Sequence, residues 1–151
     1  MIVTAKIKHL MDIYDIEQKM FSNPWTNQQI KDDILSTLDS ENWVYINNNR
    51  VIGYILGHVV VDEYHLNNIA VHPNFIRMKI GTKLVLHVIL QLKVKNIRTI
   101  YLEVSEKNII AQRCYQSLGF IKVGLRKGYY LNGDDAILYN MDIVNNGRMV
   151  S

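Results

Sequence analysis

The sequence predicts an α+β fold in one domain, and three observations carry that prediction. Seven short runs are β-branched or alternate with a period of two, as strands do. Four longer stretches space their apolar residues three and four apart, the period of a helix. The chain has 151 residues, the common size of a single domain, and only two prolines and eight glycines, so long regular elements joined by short loops are expected.

Residues 1–8 alternate and suit a first strand. Leu10, Ile13, Tyr14, Ile16, Glu17 and Met20 follow a helical rhythm. Pro24 disfavours helix at Asn23, and Thr26 suits the N-cap of a second helix through Leu38. Residues 42–46 and 51–61 read as a hairpin about Asn47-Asn48-Asn49, because asparagine tolerates left-handed backbone. A further strand over 65–71 ends at Pro73, which makes the opening four strands mainly antiparallel. Residues 80–94 form a strongly apolar helix with Leu84, Val85, Val88, Ile89 and Leu92 on a wide buried face. A strand over 99–104, apolar on both faces except at Glu103, should lie beneath helices. Asn108 caps a helix that Gly119 releases, with Ile110, Cys114 and Leu118 turned to the core. Residues 120–124 and 135–143 are closing strands. Residues 144–151 read as a frayed tail, leaving 1–143 as the domain.

Composition narrows the function. Seventeen basic residues against fourteen acidic ones, scattered along the chain, do not make a nucleic-acid binder. A single cysteine, Cys114, excludes an intramolecular disulfide framework and suits a reducing compartment. No stretch reads as a signal peptide or a membrane span, so a cytoplasmic protein is expected. The five histidines lack metal-ligand spacing, and no metal is expected.

The residue that resists a structural explanation is Glu103. A carboxylate in an apolar strand must be hydrogen-bonded, paired or turned to a cleft, and partial burial would raise its pKa toward that of a general base. Asn108 and Tyr115 stand seven residues apart, so an amide and a phenol share one side of the next helix.

In order, Ile69-Ala70-Val71-His72-Pro73, a basic segment, Ile80-Gly81 opening a helix, Leu102-Glu103-Val104, Asn108, Ala111, Tyr115 and Gly119-Phe120 resemble the core motifs of the GNAT acetyltransferases. Tyr129-Tyr130 and Asp134-Asp135-Ala136 are similar to the protein N-terminal acetyltransferases within that superfamily. Glu17, Phe21, Pro24 and Trp25 are similar to the bacterial ribosomal-protein alanine acetyltransferases and their archaeal relatives. The resemblance spans about residues 3 to 142. It implies the GNAT fold, a mixed, mostly antiparallel seven-stranded sheet with about four helices on both faces.

The resemblance further implies acetyl-CoA as co-substrate, bound by Ile69, Ala70, Val71, Arg77, Met78, Lys79, Ile80, Gly81, Thr82, Asn108 and Tyr115. Glu103 would be the base and Tyr115 the acid. Phe21, Trp25, Tyr129 and Tyr130 would border the acceptor, the N-terminus of a protein or peptide, with a ribosomal protein or the ribosome as partner and no nucleic acid or membrane required. The chain departs from the family in its pyrophosphate loop. In Ile76-Arg77-Met78-Lys79-Ile80-Gly81, Ile76 replaces the usual Gln or Arg, and Lys79 replaces the first glycine. Backbone N–H groups at a helix start can still hold phosphate, so Lys79 is expected to border the phosphates without needing glycine's backbone freedom. Two alternatives remain: a GNAT-fold binding or regulatory module with weakened catalysis, motivated by Ile76 and Lys79, and a small-molecule amine acetyltransferase, disfavoured by Tyr129-Tyr130.

Overall fold

A computed structural model of the chain describes residues 1–143, and the tail expected over 144–151 lies outside the described residues. Strand β1 covers only Ile2–Thr4. The strand expected over 1–8 is cut short because His9 folds back: its Nδ1 accepts from the Lys6 N–H at 2.9 Å and its own N–H reaches the Lys6 carbonyl at 2.8 Å, closing a 3-10 turn. Helix α1 follows at Leu10–Met20 and α2 at Asn27–Ile34. Thr26 caps α2 as expected, with Gln29 closing a reciprocal capping box. The helix stops short of Leu38, since Leu35 and Leu38 lie exposed with no core to cover.

Strands β2 (Trp43–Asn47) and β3 (Arg50–Val60) form the expected hairpin, with Asn48 and Asn49 in left-handed backbone at the turn. Strand β4 is Glu63–Val71, α3 is Ile80–Val94, β5 is Thr99–Ser105, α4 is Ile109–Ser117, β6 is Ile121–Arg126 and β7 is Ala136–Asp142. The seven strands make one sheet in the order β1-β2-β3-β4-β5-β7-β6. Only β4 and β5 run parallel.

Helices cover both faces. Ile13, Ile16 and Ile30 of α1 and α2 pack with Val44, Tyr54, Leu56 and Ala70 on one side. On the other, Leu84, Val85, Val88, Ile89 and Leu92 of α3 meet Ile55, Tyr64, Leu66, Ile100, Leu102 and Tyr139. Tyr54 and Ile55 are neighbours in β3 and belong to opposite cores, as a period of two requires.

Two sequence expectations need correction. Strand β5 is apolar on one face only: Ile100, Leu102 and Val104 are buried, whereas Glu103 is exposed. Helices α1 and α2 lie over β3 and β4, and so leave the second face of β5 open. In α4, Ile110 is 83% exposed and Cys114 is exposed too. The face that packs carries Ala111, Tyr115 and Leu118, because the helix leans on the core through Tyr115 and Phe120.

The sheet has one break that shapes everything near it. Between β3 and β4 the register shifts: Leu56 faces Asn68 and Gly57 faces Leu66, so Asn67 is an extra residue, a β-bulge. The parallel pairing of β4 with β5 runs from Glu63↔Thr99 to Leu66↔Leu102 and ends at that same level. Beyond it β4 stays with β3 as far as Val71, and β5 stays with β7 as far as Ser105. The two strands part, leaving a V-shaped opening in the middle of the sheet.

Gly57 beside the bulge is fixed by space. A Cβ there would lie 2.2 Å from Cζ and the hydroxyl of Tyr64, which is fully buried and donates to the Glu41 carbonyl at 2.8 Å. The Gly57 N–H and carbonyl are themselves tied to Asn42 and Glu41. Gly57→Ala should therefore cost about 3 kcal/mol, the upper part of the overpacking range. Urea denaturation checks it: the midpoint should fall with the slope unchanged, and a loss under about 0.5 kcal/mol would show that Tyr64 can move aside.

Candidate active site

Two segments from opposite ends of the chain meet over the open face of β5. The loop between α1 and α2 brings Trp25, and the β6–β7 loop brings Tyr129 and Tyr130. With Asn67, Glu103 and Arg126 they line a cleft of about 580 Å³ below the parted strands. The β6–β7 loop is held by its acidic pair: Asp135 Oδ1 accepts from the Gly128 N–H at 2.9 Å, and the Asp134 carbonyl accepts from the Tyr130 N–H at 3.1 Å. Gly128 and Gly133 take the positive φ that the turns demand, 61° and 91°.

Glu103 projects into this cleft, its side chain 30% accessible, with Arg126 Nη1 at 3.4 Å from Oε1. The carboxylate is partly covered, by the residues of the cleft rather than by a helix over its face of the strand. The Tyr129 hydroxyl is held above its ordinary pKa first by hydrogen bonding toward Glu103, then by burial and by that carboxylate's charge, with Arg126 opposing. Tyr130 is raised too, by burial first and then by Glu103 and Tyr129. The Arg126 guanidinium sits 5.6 Å from the Tyr129 ring centre, and the two tyrosine rings meet edge to face at 5.1 Å. Glu103 is thus surrounded by one cation and two phenols, an environment that keeps a carboxylate aimed.

Tyr115 approaches from the other face of the sheet. It packs against Phe120, ring centres 5.7 Å apart. Burial pushes its hydroxyl well above the usual tyrosine range, with smaller contributions from Cys114 and Tyr130. The hydroxyl therefore stays protonated at any pH near neutral. Asn108 is the N-cap of α4, its Oδ1 accepting from the Ala111 N–H at 3.1 Å.

Ile69, Ala70 and Val71 form the stretch of β4 beyond the bulge, paired to β3 on one edge only. Pro73–Met78 then makes a 3-10 helix, and Lys79 joins it to α3 with φ 56° and ψ 32°, left-handed backbone. This corrects the expectation for position 79: the loop does use the conformation that glycine supplies most cheaply. Arg77 and Met78 lie inside the 3-10 turn, whose own i→i+3 bonds compete for their N–H groups. The first α3 bond outside the cap is the Lys83 N–H to the Lys79 carbonyl at 3.0 Å. Ile80, Gly81 and Thr82 are therefore the residues whose N–H groups open from the helix start. A Cβ on Gly81 would meet only Val71 Cγ2, at 3.8 Å, so the chain's own packing leaves room between this helix start and the end of β4.

The sequence-derived residues thus divide. Trp25, Tyr129, Tyr130 and Glu103 come together in the cleft, while Ile69, Ala70, Val71, Lys79, Ile80, Gly81 and Thr82 border the parted strands and the α3 start. Phe21 does not reach the cleft; it packs on the core beneath α1. Three polar residues beside the cleft wall were given no role from the sequence. Glu17 is buried on α1, Asn67 is the bulged residue and Asn68 follows it. A carboxylate on the apolar side of α1 signalled the first, but no local pattern reveals which asparagine falls on a bulge.

A family model described as Acetyltransferase (GNAT) family matches residues 10–120. The chain belongs to the GNAT acetyltransferases. Among its GNAT relatives, the [ribosomal protein bS18]-alanine N-acetyltransferase of Haemophilus influenzae is 36% identical over 121 residues, 78% of this chain and 79% of the relative. The enzyme of that name from Escherichia coli is 32% identical over 138 residues, 86% of this chain and 88% of the relative. The E. coli ribosomal-protein-S18-alanine N-acetyltransferase structure superimposes with a TM-score of 0.86 at 31% identity, covering 95% of this chain and 93% of its own. Ard1 from Thermoplasma volcanium gives 0.88 at 25% identity, covering 94% and 96%. The GNAT fold expected from sequence is the fold observed, and the chain is an acetyltransferase. Among the described residues no helix is long and apolar enough to cross a membrane, and no group of three His, Cys, Asp or Glu side chains is placed to hold a metal ion.

The left-handed backbone at Lys79 makes a stability prediction. Lys79→Gly relieves a conformation costing a side-chain-bearing residue about 1–2 kcal/mol, offset in part by the greater freedom of glycine when unfolded. A net gain of about 0.5–1 kcal/mol in unfolding free energy is expected in denaturant titration. A loss would mean that the lysine side chain contributes more than its backbone costs.

Proposed function

We propose that this acetyltransferase moves the acetyl group of acetyl-CoA to the N-terminal α-amine of a protein, with a ribosomal protein of the bS18 kind, the acceptor for which its relatives are named, as the cellular acceptor. The observation that supports the reading is the cleft itself, in which an aimed carboxylate, Glu103, stands among Trp25, Arg126, Tyr129 and Tyr130. Tyr115, packed against the core on the α3 side, would be the proton donor. The reading puts the reaction in the cytoplasm, with no nucleic acid or membrane required.

The residues present fit acetyl-CoA. The N–H groups of Ile80, Gly81 and Thr82, at the positive end of α3, suit a pyrophosphate, and Gly81 leaves the space for its close approach. Lys79 and Arg77 carry charge to the position that Ile76 lacks. The edge of β4 past the bulge offers the backbone groups of Ile69 and Val71, which β5 does not use while those of Ala70 face β3, a place for an amide-bearing chain to add as a strand would. Asn108 steadies the start of α4 beside it. Acetyl-CoA supplies the activated thioester.

An α-amine with a pKa of about 7.7–8.0 arrives largely protonated at neutral pH. Glu103, directly or through a water, takes that proton so the nitrogen can attack. A backbone N–H near Val71 would stabilise the oxyanion. As the C–S bond breaks, Tyr115 would protonate the leaving sulfur and regain a proton, directly or through water, from the nitrogen that sheds its second proton to become the amide, while Glu103 releases the first to solvent. Trp25, Tyr129 and Tyr130 wall the acceptor, combining apolar area with groups that can bond a peptide backbone. Phe21 supports that wall from the core. An open, tyrosine-walled cleft of about 580 Å³ suits a chain end better than a small amine, and the presence of both Glu103 and Tyr115 favours an active enzyme over a binding module.

The direct test incubates the protein with acetyl-CoA and a bS18-type N-terminal peptide that also contains lysine, with product mapping by tandem mass spectrometry. Acetyl on the α-amine alone supports the reading. Acetyl on lysine, or none while CoA still binds, sinks it. Glu103→Gln should lower kcat by about 10²–10⁴-fold, the range for a positioned base, with CoA affinity nearly unchanged. Normal turnover across a full pH profile would remove Glu103 from the chemistry. Tyr115→Phe should slow turnover without unfolding the protein, and the defect should shrink with a thioester whose thiol is more acidic. An equal defect with both thioesters would assign Tyr115 to positioning instead.

A further inference from the structure

Glu17 is the most completely buried charged side chain among the described residues, 1% exposed, and no step above uses it. A buried carboxylate is retained only where its oxygens are satisfied, and here three donors from three separate segments converge on it. Its Oε2 accepts from the backbone N–H of Trp25 at 2.8 Å. Its Oε1 accepts from the Tyr54 hydroxyl of β3 and from the side-chain amide of Asn68 in β4. Trp25 belongs to the cleft wall, Asn68 is the first residue after the bulge where β4 leaves β5, and Tyr54 lies between them in the core.

The neighbouring asparagine makes a parallel connection. The Asn67 side-chain amide donates to His58 Nδ1 at 3.0 Å and approaches Asp33 Oδ2 of α2 at 3.4 Å. A bulge redirects side chains as well as bending its strand, and here both asparagines at the bulge turn toward α1 and α2. The parted strand and the acceptor wall are therefore joined by polar contacts rather than by side-chain packing alone.

We propose that Glu17 is a positioning residue for the acceptor: through Trp25 and Asn68 it sets the α1–α2 loop at a fixed distance from the parted strand, and so sets the width of the cleft that receives the chain end. The inference rests on the N-terminal acetyltransferase reading for the identity of the acceptor, but the tether itself is a property of the fold. Glu17 touches no reacting atom. Its loss should weaken peptide capture while leaving the α3 start, on the far side of β4, intact.

The experiment uses the full chain with acetyl-CoA and a peptide bearing a free N-terminus. Glu17→Ala should raise the peptide KM at least about tenfold, with the Kd for CoA within twofold of the parent protein. Glu17→Gln keeps the shape and one acceptor oxygen, and should fall between the two. A merely structural role would lower the melting temperature and the active fraction, leaving the peptide KM unchanged. Tyr54→Phe is the control for that case: it deletes one donor without freeing Trp25 or Asn68, so it should lower stability with the peptide KM held within twofold. If Glu17→Ala does not fold, Glu17→Gln against Tyr54→Phe decides, and equal peptide KM values for the two overturn the proposal. A second readout needs no turnover. In a Trp43→Phe background Trp25 is the only tryptophan, and its acrylamide quenching should rise in Glu17→Ala or Glu17→Gln. Should the parent protein bind CoA yet acetylate no peptide, the functional reading fails by itself, and the tether is judged on quenching: a rise supports it, and unchanged quenching overturns it.

Discussion

The structure turns on one extra residue. Asn67 has no partner position in β3, and the bulge it makes coincides with the level at which β4 and β5 stop pairing. A regular parallel pair would have consumed the backbone groups of Ile69 and Val71 that face away from β3 and closed the opening in the sheet. Because the strands part instead, a slot opens in the middle of the sheet, with the Glu103 cleft on one face and the start of α3 on the other. Backbone groups at such an opening must be bonded by water or by a ligand, and an amide-bearing ligand could take water's place there.

Two carboxylates then divide the labour by environment. Glu103 sits on the uncovered face of β5, beside Arg126 and Tyr129, with solvent access for the proton it would carry away. Glu17 sits in the core with every bond directed inward, to Trp25, Tyr54 and Asn68. The residues are the same chemically. What separates them is which helix covers which strand: α1 and α2 sit over β3 and β4 and stop short of β5.

Much of this was legible in the sequence wherever the signal was local. The asparagine turn, the Thr26 cap, the apolar face of α3 and the Asn108 cap follow from residue chemistry within a few positions, and all are present. Glu103 stood out as a lone carboxylate in an apolar strand, and Tyr115 by its spacing from Asn108. The errors were errors of tertiary placement. Glu103 was expected beneath a helix, and Ile110 and Cys114 were expected inside, because periodicity says which residues share a face but not what that face meets. Lys79 was read as tolerating ordinary backbone. Its left-handed conformation comes from the junction of a 3-10 helix with α3, a geometry invisible until both are placed. The bulge left no sequence signal, since its register depends on strands far apart in the chain.

Amide hydrogen exchange tests the account at its centre. If the parted edge of β4 is the seat of the acetyl donor, amides in residues 69–71 that face the opening should exchange quickly in the free protein and slow markedly with saturating CoA, together with those of 80–82 at the start of α3. Amides on the β3 side of the same strand should be protected in both states. Protection of the whole of β4 before CoA is added, or CoA binding that leaves residues 69–71 unchanged, would contradict the claim that this opening is where the enzyme holds its acetyl donor.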